Sequence, residues 1–219
     1  MFANDKAIFL SELEDHLRNV KKLSKSSIRV YLNRICKLLD VGYSVNDLCG
    51  AADCLWKSYG SKGQFYDPKD HGNTRAAIKH VANLVREKIL VEFGCPYVSF
   101  EKGWNSFRPK GKDESGYVID NGKITFSYNI GFNKGKSVMK NISATDIKRL
   151  NRMFKRAYSN GWLASSGTCL STVHGDQHKF DYSFDGAMGS NCSCLFEGRS
   201  AEVEQLSKEY DALIQKLRT

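Results

Sequence analysis

Residues 117–157 read YVIDNGKITFSYNIGFNKGKSVMKNISATDIKRLNRMFKRA, and this stretch decides the fold class. The turn signals at 120–122 and 133–136 separate segments of alternating apolar and polar residues, which predicts a three-stranded antiparallel meander. Residues 143–146 have the form of a capping box, and helical spacing continues behind them at Ile147, Leu150, Phe154 and Ala157. The stretch therefore predicts a small sheet followed directly by a helix.

Outside this stretch the chain has two further kinds of pattern. Four segments between residues 6 and 89 have apolar positions at helical spacing, whereas 94–116 are rich in glycine and proline. We therefore predict an α+β protein with a helical domain at 1–92, an irregular link at 93–116 and an α+β domain at 117–219. Residues 159–198 show little periodicity. An amphipathic helix over 199–219 either packs in the core or forms the seam of a homo-oligomer.

Composition narrows the class of protein. The chain has 33 basic and 24 acidic residues and a net charge of +9, a balance that attracts polyanions. No apolar run approaches the roughly 18 residues of a membrane span, so we expect no membrane partner. The first apolar stretch contains acids and reads as an amphipathic helix, not as a signal peptide, which predicts a cytoplasmic protein. Seven irregularly spaced cysteines are expected to be mostly free thiols there.

The N-terminal segment resembles a known DNA-binding module. Residues 9–39 read FLSELEDHLRNVKKLSKSSIRVYLNRICKLL. This pattern, with Leu23-Ser24, Ser27, Tyr31 and Ile35 at its key positions, is similar to the SAM-like core-binding domain of phage integrases and other tyrosine recombinases. The resemblance covers about residues 6–90. It implies a four-helix module that binds DNA in a phage or another mobile element.

Basic residues near predicted helix starts fit such a module. Helix N-termini bind anions through unpaired backbone N–H groups, and nearby cations add attraction for phosphates. The N-terminal candidates for nucleic-acid contact are Lys21, Lys22, Lys25, Arg29 and Arg75. The alternative interpretation is that these residues are simply the solvated surface of a helical bundle.

The catalytic pattern of a tyrosine recombinase is incomplete. Lys136 matches the lysine of the family's β-hairpin, and HGDQHKF resembles the family's His-x-x-Arg-His box through His174 and His178. Gln177 stands where the arginine belongs, and no segment supplies the first arginine. Since these arginines stabilise the charge on the scissile phosphate, we assign no catalytic residues. The sequence predicts a non-enzymatic DNA-binding protein.

A second basic cluster surrounds the predicted helix of the C-terminal domain. Eight basic residues and one acid fall between positions 132 and 156. The hairpin and the helix together are expected to form one basic surface that follows a phosphate backbone. A solvated helix face is the alternative, although such faces usually carry acids for i,i+4 pairing. DNA is the preferred partner and RNA stays open. The candidates are Lys134, Lys136, Lys140, Lys148, Arg149, Arg152, Lys155 and Arg156.

Three other interpretations remain open. Cysteines and histidines at 169–194 are ligand types that zinc accepts, which makes zinc the one candidate cofactor. A restriction-type metal-dependent nuclease would use Asp120 with Lys123, Asp146 with Lys148, or Asp176, Asp181 and Asp185. An interaction protein that docks on a nucleic-acid complex is the third. The candidate zinc ligands are Cys169, His174, His178, Cys192 and Cys194.

Overall fold

A computed structural model describes residues 5–102, 114–130, 133–164, 178–191 and 194–219. The chain divides into two compact units. The first contains Met1–Val91 and Ser143–Thr145, and the second contains Glu92–Ile142 and Asp146–Thr219. The described residues form helices and an antiparallel sheet, so the predicted α+β class is confirmed. No helix in these ranges is long and apolar enough to cross a lipid bilayer.

The first unit is built from helices whose starts are capped by side chains. Ser24 and Ser44 each accept a hydrogen bond from the backbone N–H three residues later, which satisfies one unpaired donor of each helix. Apolar residues on these helices, such as Phe9, Ile35 and Ile78, are buried. The helices are α1 (Lys6–Asp15), which continues as the π-helical segment His16–Val20, α2 (Lys25–Asp40), α3 (Val45–Ser58) and α4 (Asn73–Phe93), with a 3₁₀ turn at Pro68–Asp70.

The second unit contains an antiparallel sheet with the strand order β4-β3-β2-β1-β5-β6. Its two tight hairpins turn at Asn121-Gly122 and Asp185-Gly186, where both residues have positive φ, as two-residue turns of this handedness require. The strands are β1 (Tyr97–Lys102), β2 (Glu114–Asp120), β3 (Lys123–Ile130), β4 (Asn133–Asn141), β5 (His178–Phe184) and β6 (Ala187–Asn191). The helices are α5 (Ala144–Ser159) and α6 (Ala201–Arg218).

The sheet corrects two predictions. The irregular link predicted over 93–116 is wrong for β1 and for the start of β2, and the sheet has six described strands where three were predicted. The strand β1 has only six residues, and the glycines and prolines around it obscure its sequence pattern. Its pairing is also non-local, since Tyr97 lies opposite Ser183 in β5. Such pairing cannot be recognised from the residues near β1 alone.

An aromatic core joins the two helices to one face of the sheet. Phe154 of α5 is fully buried, and its ring lies 5.5–6.5 Å from four other rings. The hydroxyl of Tyr117 in β2 is 3.1 Å from that of Tyr210 in α6. Leu206, Leu213 and Tyr210 are buried within this unit. Of the two interpretations of the final helix, the structure therefore shows core packing for its apolar stripe.

Candidate nucleic-acid interface

The candidate site is built on α5, which begins at an ion pair. Asp146 in its first turn is buried, and its carboxylate accepts hydrogen bonds of 2.7 and 2.8 Å from Nζ of Lys216 in α6. Ile147, Leu150 and Phe154 are fully buried on the face toward the sheet. Since side chains three and four positions apart share a helix face, this packing leaves the basic residues of α5 on the opposite face.

Two of the five predicted α5 cations make contacts within the second unit. The guanidinium of Arg149 donates a hydrogen bond of 3.4 Å to the backbone carbonyl of Glu209. The guanidinium of Arg156 lies 5.5 Å from the ring centroid of Trp162, a distance at which a cation is attracted to an aromatic face. These contacts give both arginines a structural role.

The other three α5 cations form a separate stripe. Lys148, Arg152 and Lys155 are exposed and follow one another at helical spacing of four and three residues. None of them has an ion pair or hydrogen bond with the residues that the structure describes. We call these three residues the α5 stripe. It is the largest group of neighbouring predicted cations in the described parts of the second unit without an ion pair or hydrogen bond.

The α5 stripe lines a pocket of about 720 Å³. The other walls come from the end of α4, from the start of β1 and from the hairpin between β5 and β6. Asn151 holds two of these walls together, because its amide donates hydrogen bonds of 3.1 Å to the carbonyls of Gly94 and Ile147. Cys95 also lines the pocket, and burial raises the pKa of its thiol. The thiol is therefore protonated at neutral pH.

Two aromatic side chains of the pocket were not among the predicted site residues. Phe93 is 50 % exposed and Tyr97 is 38 % exposed, and both line the pocket. They flank the segment Gly94-Cys95-Pro96, which was interpreted as part of an irregular link. An aromatic residue on each side of this glycine- and proline-containing segment was the one signal in the sequence that could have indicated them.

The lysines of the predicted hairpin differ in their surroundings. Lys140 donates a hydrogen bond of 2.8 Å to the carbonyl of Arg218 and so satisfies an acceptor at the carboxyl end of α6. Lys136 is exposed on β4. The side chain of Lys134 lies outside the described part of the chain. Since the described hairpin lysines do not line the pocket of the α5 stripe, the continuous basic surface expected of hairpin and helix is not evident.

The predicted cations of the first unit are also divided. Nζ of Lys21 lies 3.2 Å from a carboxylate oxygen of Glu87, and Arg75 lies 5.1 Å from the ring centroid of Trp56. Lys25 and Arg29 line a smaller cavity of about 330 Å³ near the start of α2. Lys22 is exposed and has a positive φ of 54° in the turn before α2.

The predicted zinc ligands are largely outside the described residues. Cys169, His174 and Cys192 fall in segments that the structure does not describe, as does the side chain of His178. Cys194 is half-buried and has a free thiol. Among the described residues there is no group of three or more histidine, cysteine or acidic side chains placed to hold a metal ion. Zinc binding by this set stays a prediction.

Similarity to known proteins does not indicate a function for this site. The chain matches no protein-family model, no curated protein and no solved structure. The similarity of residues 6–90 to a core-binding domain therefore stays a prediction from sequence.

Proposed function

We propose that the protein binds nucleic acid without catalysing a reaction, and that the α5 stripe contacts the phosphate backbone. The observation that carries this proposal is that Lys148, Arg152 and Lys155 are exposed and form no ion pair with the described residues, although Glu92 and Asp185 line the same pocket. The stripe spans about 10 Å along the helix. Phosphates of one strand follow one another about every 3.4 Å along a duplex, so the stripe can meet more than one of them.

The charge of the whole chain supports the same ligand class. A net charge of +9 favours the approach of a polyanion over distances longer than a single contact. DNA is our preferred partner, and the setting in a phage or mobile element rests on the resemblance of residues 6–90 alone. The nuclease interpretation that pairs Asp146 with Lys148 has less support, because the Asp146 carboxylate is buried against Lys216.

The test measures how binding of the full chain to a fluorescent, random-sequence DNA duplex depends on salt. The triple variant K148A/R152A/K155A removes the stripe. The matched control K102A/K123A/R199A removes the same charge from three exposed positions elsewhere in the second unit, none of which has an ion pair with the described residues. If the stripe makes three phosphate contacts, its loss should reduce the slope of log K against log salt by up to about 2.7. The control should keep most of the wild-type slope.

Two outcomes would contradict the proposal. One is no binding of the wild-type chain to DNA at low salt. The other is an equal loss of affinity in both triple variants, which would show a response to net charge instead of a site. A parallel reaction with magnesium reports DNA cleavage, and cut product would replace the non-enzymatic proposal with the nuclease.

A further inference from the structure

The pocket beside the α5 stripe has features that contact with a duplex backbone does not need. Its volume of about 720 Å³ falls in the range of small-ligand pockets, about 300–1,000 Å³. A duplex lying across α5 would cover the mouth of such a pocket without filling it. The pocket therefore fits a ligand part that leaves the regular helix of a nucleic acid.

The pocket walls differ in chemistry. One wall is the α5 stripe, which offers positive charge. Another contains Phe93, whose side chain is half exposed. Tyr97 also lines the pocket, but it lies opposite Ser183 and so shares the sheet face away from α5, since Tyr182 and Phe184 face Phe154 of that helix. Proteins that bind unpaired nucleotides combine these same two elements, since cations follow the phosphates while bases stack on aromatic rings. A polyanion without bases would contact only the wall formed by the α5 stripe.

A carboxylate at the hairpin turn adds a third element. Asp185 lines the pocket together with Ser183 of β5, and Glu92 at the end of α4 is a second acid in the lining. A carboxylate repels phosphate, but it accepts hydrogen bonds from the exocyclic amino group of a base. The pocket therefore suits a ligand with an anionic end, a flat apolar body and a hydrogen-bond donor. A nucleotide has all three parts.

From these observations we infer that the pocket binds an unpaired nucleotide, with the phosphate at the α5 stripe and the base against Phe93. This inference rests on the proposed function and specifies its ligand. The same chemistry is offered by a single-stranded segment of DNA or RNA and by a free nucleoside monophosphate. Binding of a single strand should accordingly be tighter than binding of the matching duplex.

The experiment uses the full chain and four probes: a single strand of about ten nucleotides, its duplex, an abasic strand of the same length and a free nucleoside monophosphate. The variant F93L keeps apolar bulk and removes the ring. The control F65L removes an exposed phenylalanine from the first unit. Circular dichroism checks that both variants fold.

We expect F93L to bind the single strand about 10-fold more weakly and the duplex as tightly as the wild type does, with F65L unchanged. Displacement of the strand by the free nucleotide, or binding of either ligand alone, supports the shared chemistry and shows whether the pocket binds a strand, a free nucleotide or both. Equal affinity for abasic and intact strands, or wild-type binding by F93L, would overturn the inference. If the duplex still binds through the α5 stripe in that case, the proposed function survives.

Discussion

Acidification should destabilise the first unit through His80 of α4. The ring of His80 lies 5.1 Å from that of Tyr31, and its Nδ1 is buried with no hydrogen-bond partner in the described part of the chain. Burial, with smaller contributions from the nearby His16, Lys21 and Lys79, lowers the pKa of His80 to about 4. Glu87, the acid of this cluster, accepts contacts from His16 at 3.1 Å and from Lys21 at 3.2 Å. Its carboxylate is thus already paired.

The sign and size of the effect follow from that pKa. Between pH 6.5 and about 4 the unfolded chain protonates His80 while the folded chain keeps it neutral, so the free energy of unfolding decreases as the pH falls. One pKa unit corresponds to about 1.4 kcal/mol, which sets an upper limit of about 3 kcal/mol. Because His80 is only partly buried, we expect about 1–2 kcal/mol. Burial also lowers the pKa of His16, which acts in the same direction.

The assay is urea unfolding of the full chain between about pH 7 and pH 4.5, followed by circular dichroism. The variant H80Q removes the titrating ring and should lose less stability on acidification than the wild type. The variant H71N is the control, because His71 is exposed at the end of the 3₁₀ turn. If H80Q loses as much stability as the wild type and H71N do, the burial of His80 is not the cause.

Two further predictions concern the aromatic core and the thiols. The substitution Phe154→Ala should reduce the free energy of unfolding by about 3–5 kcal/mol, since it empties a fully buried site among four rings; a loss below about 1 kcal/mol in urea unfolding would contradict this. At about pH 8, a thiol reagent should modify the exposed Cys54 and spare Cys49, because burial raises the pKa of Cys49 to about 12. Peptide mass mapping checks the order, and equal labelling of both thiols would refute it.

Local signals account for the part of the fold that could be predicted. Asn121-Gly122 can adopt the positive φ values of a tight hairpin, and Ser24 and Ser44 can cap the helices that follow them. Each of these effects depends on neighbouring residues only. The turn Asp185-Gly186 carried the same kind of signal, with Phe180, Tyr182 and Phe184 alternating before it, and it was missed in a segment dominated by glycine and cysteine.

Pairing between distant segments accounts for the rest. The residues of β1 do not indicate their partner in β5, so the centre of the sheet could not be predicted from either segment alone. Prediction of the site residues had the same limit, because their contacts also involve distant segments of the chain. The spacing of Lys148, Arg152 and Lys155 predicted one basic stripe, but the sequence could not separate it from Arg149 and Arg156, whose partners lie on other elements.

The position of β1 in the sheet has a consequence for how the protein is made. The strand emerges from the ribosome early, yet its pairing with β5 requires residues up to Phe184, and the aromatic core also needs α6. The hydrogen bonds within the helices of the first unit join residues four apart, and such local contacts form faster. During synthesis the first unit can therefore fold before β5, one of the two strands that pair with β1, has been made. The exposed edge of β1 is a site for chaperone binding or misassembly until translation of the sheet is complete.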